Sequence, residues 1–268
     1  MTGPPRPASS RPSAPFPSPH PEVLIVPDLS AAAAAAAERV ARRCEQAAAS
    51  RGECAIALSG GETPRALHAR LASDPFRRRI PWTRIRVFWG DERGVPPDDP
   101  RSNYRMARET LLNAVPVPDD RIHRMPAEGP DRQAAAEAYA ALLRAHLPHA
   151  ADGWPRFDLV LLGLGDDAHT ASLFPHAPAL QETRRAVLAV EAPDGMPRMT
   201  LTPPILNHAG EILFLAAGPQ KARAVWAVLE GPRQPDAVPA QAIRPVDGTL
   251  AWIVDASAAS RLTRSSTA

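Results

Sequence analysis

The stretch FDLVLLGLGDDAHTASLFP (Phe157–Pro175) decides the fold and sets the direction of the functional argument. It opens on a continuous apolar run, 159–162, that is short enough to be a buried strand of a parallel sheet. Gly163 and Gly165 end the run, and two carboxylates and an imidazole follow them. In an open α/β sheet, ligands bind beyond the carboxyl ends of the strands. The stretch therefore predicts a buried strand that delivers polar side chains to a ligand-binding crevice.

Three interpretations of this stretch are open from its residues alone. The first is a catalytic loop in which His169 exchanges protons and Asp167 lies beside it. The second is a capping turn with a solvated histidine. The third is a dinucleotide fingerprint, Gly163-x-Gly165-x-x-Ala168. Such a fingerprint usually follows the first strand of its domain, whereas this one lies past the middle of the chain.

Outside this stretch, short apolar runs alternate with helical segments. The predicted strands are 22–26, 54–58, 85–89, 121–125, 186–190, 198–202, 211–216 and 250–254. The predicted helices are 30–50, 64–72, 104–113, 130–147, 219–230 and 256–262. This alternation predicts an α/β fold in which helices flank a doubly wound, mostly parallel sheet, and 268 residues suit a single domain.

Composition predicts the ends of the domain and excludes several classes of protein. Residues 1–21 are rich in Pro, Ser and Gly and predict a disordered tail, so that the α/β domain spans 22–262 and a short tail covers 263–268. The net charge is +2, and no basic run is long enough for a nucleic-acid arm. No apolar run is long enough for a membrane span. Two cysteines are too few for a disulfide framework or a zinc site and predict reduced thiols in the cytoplasm.

Polar groups also follow other predicted strands. Ser59-Gly60-Gly61-x-Thr63 links a buried strand to a helix, and it is either an anion site or a tight turn that needs glycine. Asp91-Glu92-Arg93 follows the next strand and is either part of a site or a local ion network. Lys221 is the only lysine in a chain that otherwise uses arginine, and it falls in the first turn of a predicted helix. A compact ammonium at a helix start suits a bound anion. A surface lysine with no functional role is equally compatible with the sequence alone.

Five motifs in order resemble the glucosamine-6-phosphate isomerase/6-phosphogluconolactonase family over about residues 22–262. They are Ser59-Gly60-Gly61-x-Thr63-Pro64, Gly90-Asp91-Glu92-Arg93 with Ser102-Asn103, the segment from Gly163 to Pro175, Arg198-x-Thr200-Leu201-Thr202, and Gly218-x-x-Lys221. The third motif is similar to the lactonase branch rather than the deaminase branch. The resemblance implies a Rossmann-like α/β fold with no metal and no organic cofactor.

The resemblance also implies a reaction and a set of site residues. The reaction is hydrolysis of a small sugar-phosphate lactone, 6-phospho-D-glucono-1,5-lactone, in the oxidative pentose phosphate pathway. His169 would activate water, Asp167 would orient the imidazole, and Asp91 and Arg93 would hold sugar hydroxyls or stabilise the oxyanion. The residues expected to hold the phosphate are Ser59, Gly60, Gly61, Thr63, Arg198 and Lys221. No nucleic acid or membrane partner is expected, and the protein is expected to be a monomer or a weak homo-oligomer.

One position departs from the family pattern. The family usually has glycine between the aspartate and the histidine, where this chain has Ala168. If the position needs a positive φ, alanine is strained by about 1 kcal/mol or more. If φ is negative, the methyl group only narrows the pocket. The placement of His169 depends on which of these holds.

The sequence leaves three alternative functions open. A glucosamine-6-phosphate deaminase would use the same fold, but the segment 170–175 argues against it. A non-catalytic sugar-phosphate sensor would need no base, so Asp91, His169 and Lys221 together argue against it. A nicotinamide enzyme would have to use the weak glycine fingerprint described above.

Overall fold

A computed structural model describes residues 21–263 of the chain. Nine strands occur within these residues: β1 Glu22–Val26, β2 Cys54–Leu58, β3 Ile85–Trp89, β4 Asp91–Arg93, β5 Leu159–Leu162, β6 Val187–Glu191, β7 Pro197–Leu201, β8 Glu211–Ala216 and β9 Thr249–Asp255. Seven α-helices accompany them in the same part of the chain: α1 Leu29–Arg51, α2 Glu62–Leu71, α3 Phe76–Arg79, α4 Asn103–Thr110, α5 Arg132–His146, α6 Pro203–Asn207 and α7 Ala222–Leu229.

Six strands form one parallel sheet in the order β1-β9-β8-β5-β2-β3. Every residue of β2, β5 and β8 is buried, as expected for central strands that are covered on both faces. Because the strands are parallel, their carboxyl ends meet at one edge of the sheet. The predicted α/β fold with helices around a mostly parallel sheet is confirmed.

A second, antiparallel sheet in the order β4-β7-β6 was not predicted. β4 follows β3 after the single residue Gly90 and pairs with β7, which places Arg93 opposite Arg198 and Asp91 opposite Thr200. The sequence missed β4 because its three polar residues carry no apolar periodicity. This small sheet brings Arg198 to the edge of the large sheet where the polar clusters lie.

Two predicted elements are wrong. Residues 121–125 form no strand, because Ile122 makes a single bridge to Val87 and the chain then leaves the sheet. Residues 256–262 form turns rather than a helix. The carboxylate of Asp255 accepts bonds from the Ser257 hydroxyl and the Ala258 amide there, which satisfies the backbone locally.

Helix starts depart from the prediction at α2 and α7. The helix predicted over 219–230 begins at Ala222, because Pro219–Lys221 form a separate 3-10 turn, so Lys221 lies at the cap position of α7 and not in its first turn. Asp28 caps α1 and Ser102 caps α4 through their side-chain oxygens. The helix predicted over 64–72 begins two residues earlier, at Glu62. Its cap position is Gly61, whose φ of 105° suits glycine.

The described residues contain no helix long and apolar enough to cross a membrane. The predicted N-terminal tail lies outside the described residues except for Pro21, and the predicted C-terminal tail lies outside them except for Thr263.

Candidate active site

A cavity of about 310 Å³ opens at the edge of the large sheet where the strands end. It is bordered by the segments that follow β2, β3, β5 and β8, together with the side chain of Arg198 from β7. Nine of the ten predicted site residues line it: Ser59, Gly60, Gly61, Thr63, Asp91, Arg93, His169, Arg198 and Lys221. The tenth, Asp167, lies beside His169. Residues from five separate motifs are therefore brought into one cavity.

His169 and Asp167 form a hydrogen-bonded pair. The Nδ1 atom of His169 lies 2.6 Å from Oδ1 of Asp167, and the same oxygen accepts the amide of His169 at 3.1 Å. Burial tends to raise the pKa of Asp167, but the amide bond, the imidazole charge and the side-chain bond outweigh it and lower that pKa. An ionised Asp167 can only accept a hydrogen bond, so Nδ1 carries the proton and donates to it, which leaves the lone pair on Nε2. In this tautomer the free Nε2 can accept a proton.

The turn before His169 adopts a left-handed conformation. The Gly165 carbonyl accepts the Ala168 amide at 3.0 Å, and the Gly165 amide donates to the His169 carbonyl at 2.8 Å. Ala168 has a φ of 65°, so the strained alternative considered for this alanine is the one that occurs. A Cβ atom on Gly165 would lie 2.1 Å from Nδ1 of His169, which explains glycine at that position.

Asp91 is a buried carboxylate held by donors from two other segments. It accepts the Ser172 hydroxyl at 2.6 Å and the Asn103 side-chain amide at 3.3 Å. An Arg198 nitrogen lies 3.8 Å from it. These contacts fix the orientation of the carboxylate at the wall of the cavity.

Asn103 lines the cavity, although the sequence placed it only within the second motif and indicated no role for it. Its side-chain amide donates to the Asp91 carbonyl at 2.8 Å, and its Oδ1 accepts Arg93 Nη1 at 2.5 Å. A Cβ atom on Gly60 would lie 1.7 Å from the same Oδ1. Asn103 therefore joins three predicted site residues. A Ser-Asn pair after the Asp-Glu-Arg cluster was the available signal, but only the tertiary contacts reveal what it does.

Glu92, the residue between Asp91 and Arg93, attaches α4 to β4. Its carboxylate accepts the amides of Arg93, Asn103 and Tyr104, each at 2.8 Å, and the Ser102 hydroxyl at 3.0 Å. Burial raises the pKa of Glu92, although these four donors oppose the shift. Glu92 does not line the cavity, and its bonds to the start of α4 give it a positioning role.

The side of the cavity nearest α2 and Lys221 is suited to an anion. The Gly60-Gly61 turn leads into the N-terminus of α2, where the helix dipole favours negative charge. Arg198 has a buried Nε atom with no hydrogen-bond partner among the described residues. Burial, and to a lesser degree the charge of Arg93, lower the pKa of Arg198, while Asp91 opposes the shift. Lys221 Nζ lies 2.6 Å from Asp166 Oδ1. Three cations, Arg93, Arg198 and Lys221, line the cavity together with two carboxylates, Asp91 and Glu62, so that positive groups are in excess.

No group of three or more metal-ligating side chains occurs among residues 21–263.

The sequence matches the family model of glucosamine-6-phosphate isomerases/6-phosphogluconolactonase over residues 27–252. This match spans most of the chain. The chain therefore belongs to this family, as the five motifs indicated.

Individual relatives of the chain within this family carry the name 6-phosphogluconolactonase. The chain is 44% identical to a 6-phosphogluconolactonase of Synechocystis over 223 residues, which cover 83% of this chain and 90% of the relative. It is 41% identical to a 6-phosphogluconolactonase of Streptomyces coelicolor, with 91% and 96% covered. The solved structure of the Trypanosoma brucei 6-phosphogluconolactonase superposes with a TM-score of 0.81 at 31% identity, covering 91% of this chain and 99% of that one.

Proposed function

We propose that this protein hydrolyses 6-phospho-D-glucono-1,5-lactone to 6-phospho-D-gluconate, in the oxidative pentose phosphate pathway. The relatives that carry this name at 41–44% identity support the proposal. The observation that carries it furthest is the His169–Asp167 pair beside a cavity with three cationic side chains. A base and an anion site in one cavity are what hydrolysis of a phosphorylated lactone requires.

The first step is attack on the lactone carbonyl. Nε2 of His169 removes a proton from a water molecule while the water oxygen bonds to C1 of the lactone. The carbonyl π electrons move onto its oxygen, which becomes an oxyanion. Asp167 stabilises the imidazolium that forms, since its carboxylate is bonded to Nδ1.

The second step opens the ring. The oxyanion reforms the carbonyl, the bond from C1 to the ring oxygen breaks, and the imidazolium returns its proton to that oxygen. The product is the open-chain hydroxy acid, and His169 is neutral again. One group serves both steps because the unperturbed pKa of imidazole lies near neutral. The chemistry uses only acid–base groups that this chain supplies.

The remaining site residues hold the substrate. In the proposed pose, the phosphate binds the turn of Gly60 and Gly61, and Lys221 contacts it. Ser59, Thr63 and Arg198 supply further donors around it. Asp91 and Arg93 hold the sugar hydroxyls or stabilise the oxyanion, and Asn103 keeps both of them in place. Phosphate binding away from C1 fixes the lactone for attack.

We also propose that residues 22–262 form the catalytic domain and that the protein works in the cytoplasm as a monomer or weak homo-oligomer, with no nucleic-acid partner. Cys44 and Cys54 are free and buried, with their sulfurs 3.7 Å apart, which is compatible with a reducing compartment.

The test is a comparison of two substrates. Lactone is generated in situ from glucose 6-phosphate, and its spontaneous opening is subtracted. We expect accelerated lactone hydrolysis and no ammonia from glucosamine 6-phosphate. Ammonia release would support the deaminase alternative. Binding of 6-phosphogluconate without any lactone turnover would support the sensor.

A further inference from the structure

The side chain of Lys221, which is expected to bind the substrate phosphate, is already paired with the carboxylate of Asp166. Lys221 Nζ donates to Asp166 Oδ1 at 2.6 Å. The side chain of Lys221 is 20% exposed and lines the cavity, whereas that of Asp166 is 64% exposed. Lys221 is the only lysine of the chain. Any anion that binds Lys221 directly has to compete with Asp166.

Asp166 is placed by the same turn that holds the catalytic pair. Asp166 and Asp167 are the two central residues of the turn that the bond from the Ala168 amide to the Gly165 carbonyl closes. Asp167 contacts His169, and Asp166 contacts Lys221. Two adjacent carboxylates therefore have different partners, one at the base and one at the anion site.

We propose that Asp166 is an internal competitor of the substrate phosphate, which sets the affinity of the site for phosphorylated ligands. The inference rests on the proposed function for the identity of the substrate and deepens it. A phosphate dianion carries more charge than a carboxylate and accepts bonds from several donors at once. When it reaches Lys221, Asp166 is released into water, to which it is already largely exposed. The released carboxylate then repels the dianion and favours its departure.

The size of the effect follows from the exposure of the pair. Exposed ion pairs are weak, so that removing the competition tightens phosphate binding by about two- to fivefold. Loss of the repulsion between Asp166 and the bound phosphate acts in the same direction. Both contributions are largest at low ionic strength, because salt screens exposed charges.

The experiment compares Asp166→Asn with a charge-matched control, Glu191→Gln. Glu191 is exposed at the end of β6 and does not line the cavity. Calorimetric titration with 6-phosphogluconate and with inorganic phosphate gives the Kd, and the lactone assay gives KM. We expect Asp166→Asn to lower the Kd for both ligands and the KM by about two- to fivefold, with a smaller change in high salt. Glu191→Gln is expected to keep wild-type values.

Several results would overturn the proposal. Weaker binding by Asp166→Asn would mean that Asp166 orients Lys221 for the phosphate instead of competing with it. An unchanged Kd would mean that the pair is irrelevant to binding. Wild-type phosphate affinity in Lys221→Ala, or no affinity in the wild type, would remove Lys221 as the phosphate ligand. Absence of lactone turnover would refute the proposed function alone, because the phosphate titrations test the competition by Asp166 without any turnover.

Discussion

Ala168, directly before His169, has a left-handed backbone conformation, and its methyl group is buried. Removing it relieves about 1–2 kcal/mol of strain. It also gives up about 0.8 kcal/mol of methyl burial and about 0.4–1 kcal/mol of unfolded-chain entropy. These contributions nearly cancel. The alanine therefore replaces the usual glycine at little net cost, which is compatible with a functional His169.

Substitutions at Ala168 test this balance. We predict that Ala168→Gly changes the free energy of unfolding by less than about 1 kcal/mol, because the opposing contributions offset each other. A β-branched side chain is a genuine outlier at positive φ and overfills a buried site, so Ala168→Val should lose about 2–4 kcal/mol. Urea unfolding followed by circular dichroism measures both. A valine variant as stable as the wild type would contradict the account of this turn.

Residue identities that lie close together in sequence were predictable, and tertiary partners were not. The spacing of Asp167 and His169 suggested a pair, and they are one. The sequence indicated no role for Asn103, because its partner loop at Gly60 lies far away along the chain. The competition between Asp166 and Lys221 likewise depends on a contact between two separate strand ends.

At the scale of elements, the attachment of α4 to β4 fixes one wall of the cavity. Glu92 binds the first turn of α4, and Asn103 at the start of that helix contacts Asp91 and Arg93. A helix start, rather than a loop, therefore positions these two site residues. We therefore expect the kinetics to depend on Asn103, whose side chain contacts site residues, and the stability to depend on Ser102, which caps the helix.

Asn103→Ala should reduce kcat/KM on the order of 10²-fold, because Arg93 and Asp91 lose the side chain that holds them in place. Ser102→Ala provides the control, since it removes the cap of the same helix and only one of the four donors to Glu92. It should cost about 1 kcal/mol of stability and leave kcat/KM within a few-fold of wild type. Steady-state lactone hydrolysis and urea unfolding separate the two effects. Equal kinetic losses in both variants would mean that Asn103 acts only by stabilising α4.

The six-stranded sheet was predictable from the sequence, whereas the three-stranded sheet was not. Buried parallel strands have continuous apolar runs, and the structure has strands at all six predicted positions of the large sheet. β4 has three polar residues, and it forms a strand only because β7 lies beside it. Nonlocal pairing of that kind leaves no local pattern in a single sequence.

For the whole molecule, two histidines link stability to pH. Burial lowers the pKa of His68 to about 4, assisted by the charge of Arg65, and burial likewise lowers the pKa of His123 to about 4. Nδ1 of His68 lies 3.3 Å from the Thr110 hydroxyl, and its Nε2 has no hydrogen-bond partner in the described residues. Both rings are therefore neutral in the folded protein at neutral pH.

Lower folded pKa values mean that the unfolded state binds more protons in acid. Stability from His68 is complete above about pH 6.5 and is lost as the pH falls towards about 4. We predict a loss of about 2 kcal/mol from this residue between pH 7 and pH 5. His68→Asn should be less stable at pH 7, yet its free energy of unfolding should fall less steeply with acid, with the remaining slope from His123 and other groups. Urea unfolding at both pH values measures this slope.

The control for this slope is His149→Asn, which removes an exposed histidine. It should keep the wild-type dependence on pH. A His68→Asn variant with an undiminished slope would show that His68 is protonated in the folded protein.

The proposed mechanism depends most directly on His169, and one measurement tests the role of this residue. We would compare lactone hydrolysis by the wild type and by His169→Ala, after subtracting spontaneous opening, and titrate both with 6-phosphogluconate. Loss of a general base predicts a kcat lower by about 10²–10⁴-fold, with a Kd for 6-phosphogluconate close to wild type because the phosphate contacts remain. A His169→Ala variant that hydrolyses the lactone at the wild-type rate would contradict the assignment of the base, and with it the proposed mechanism.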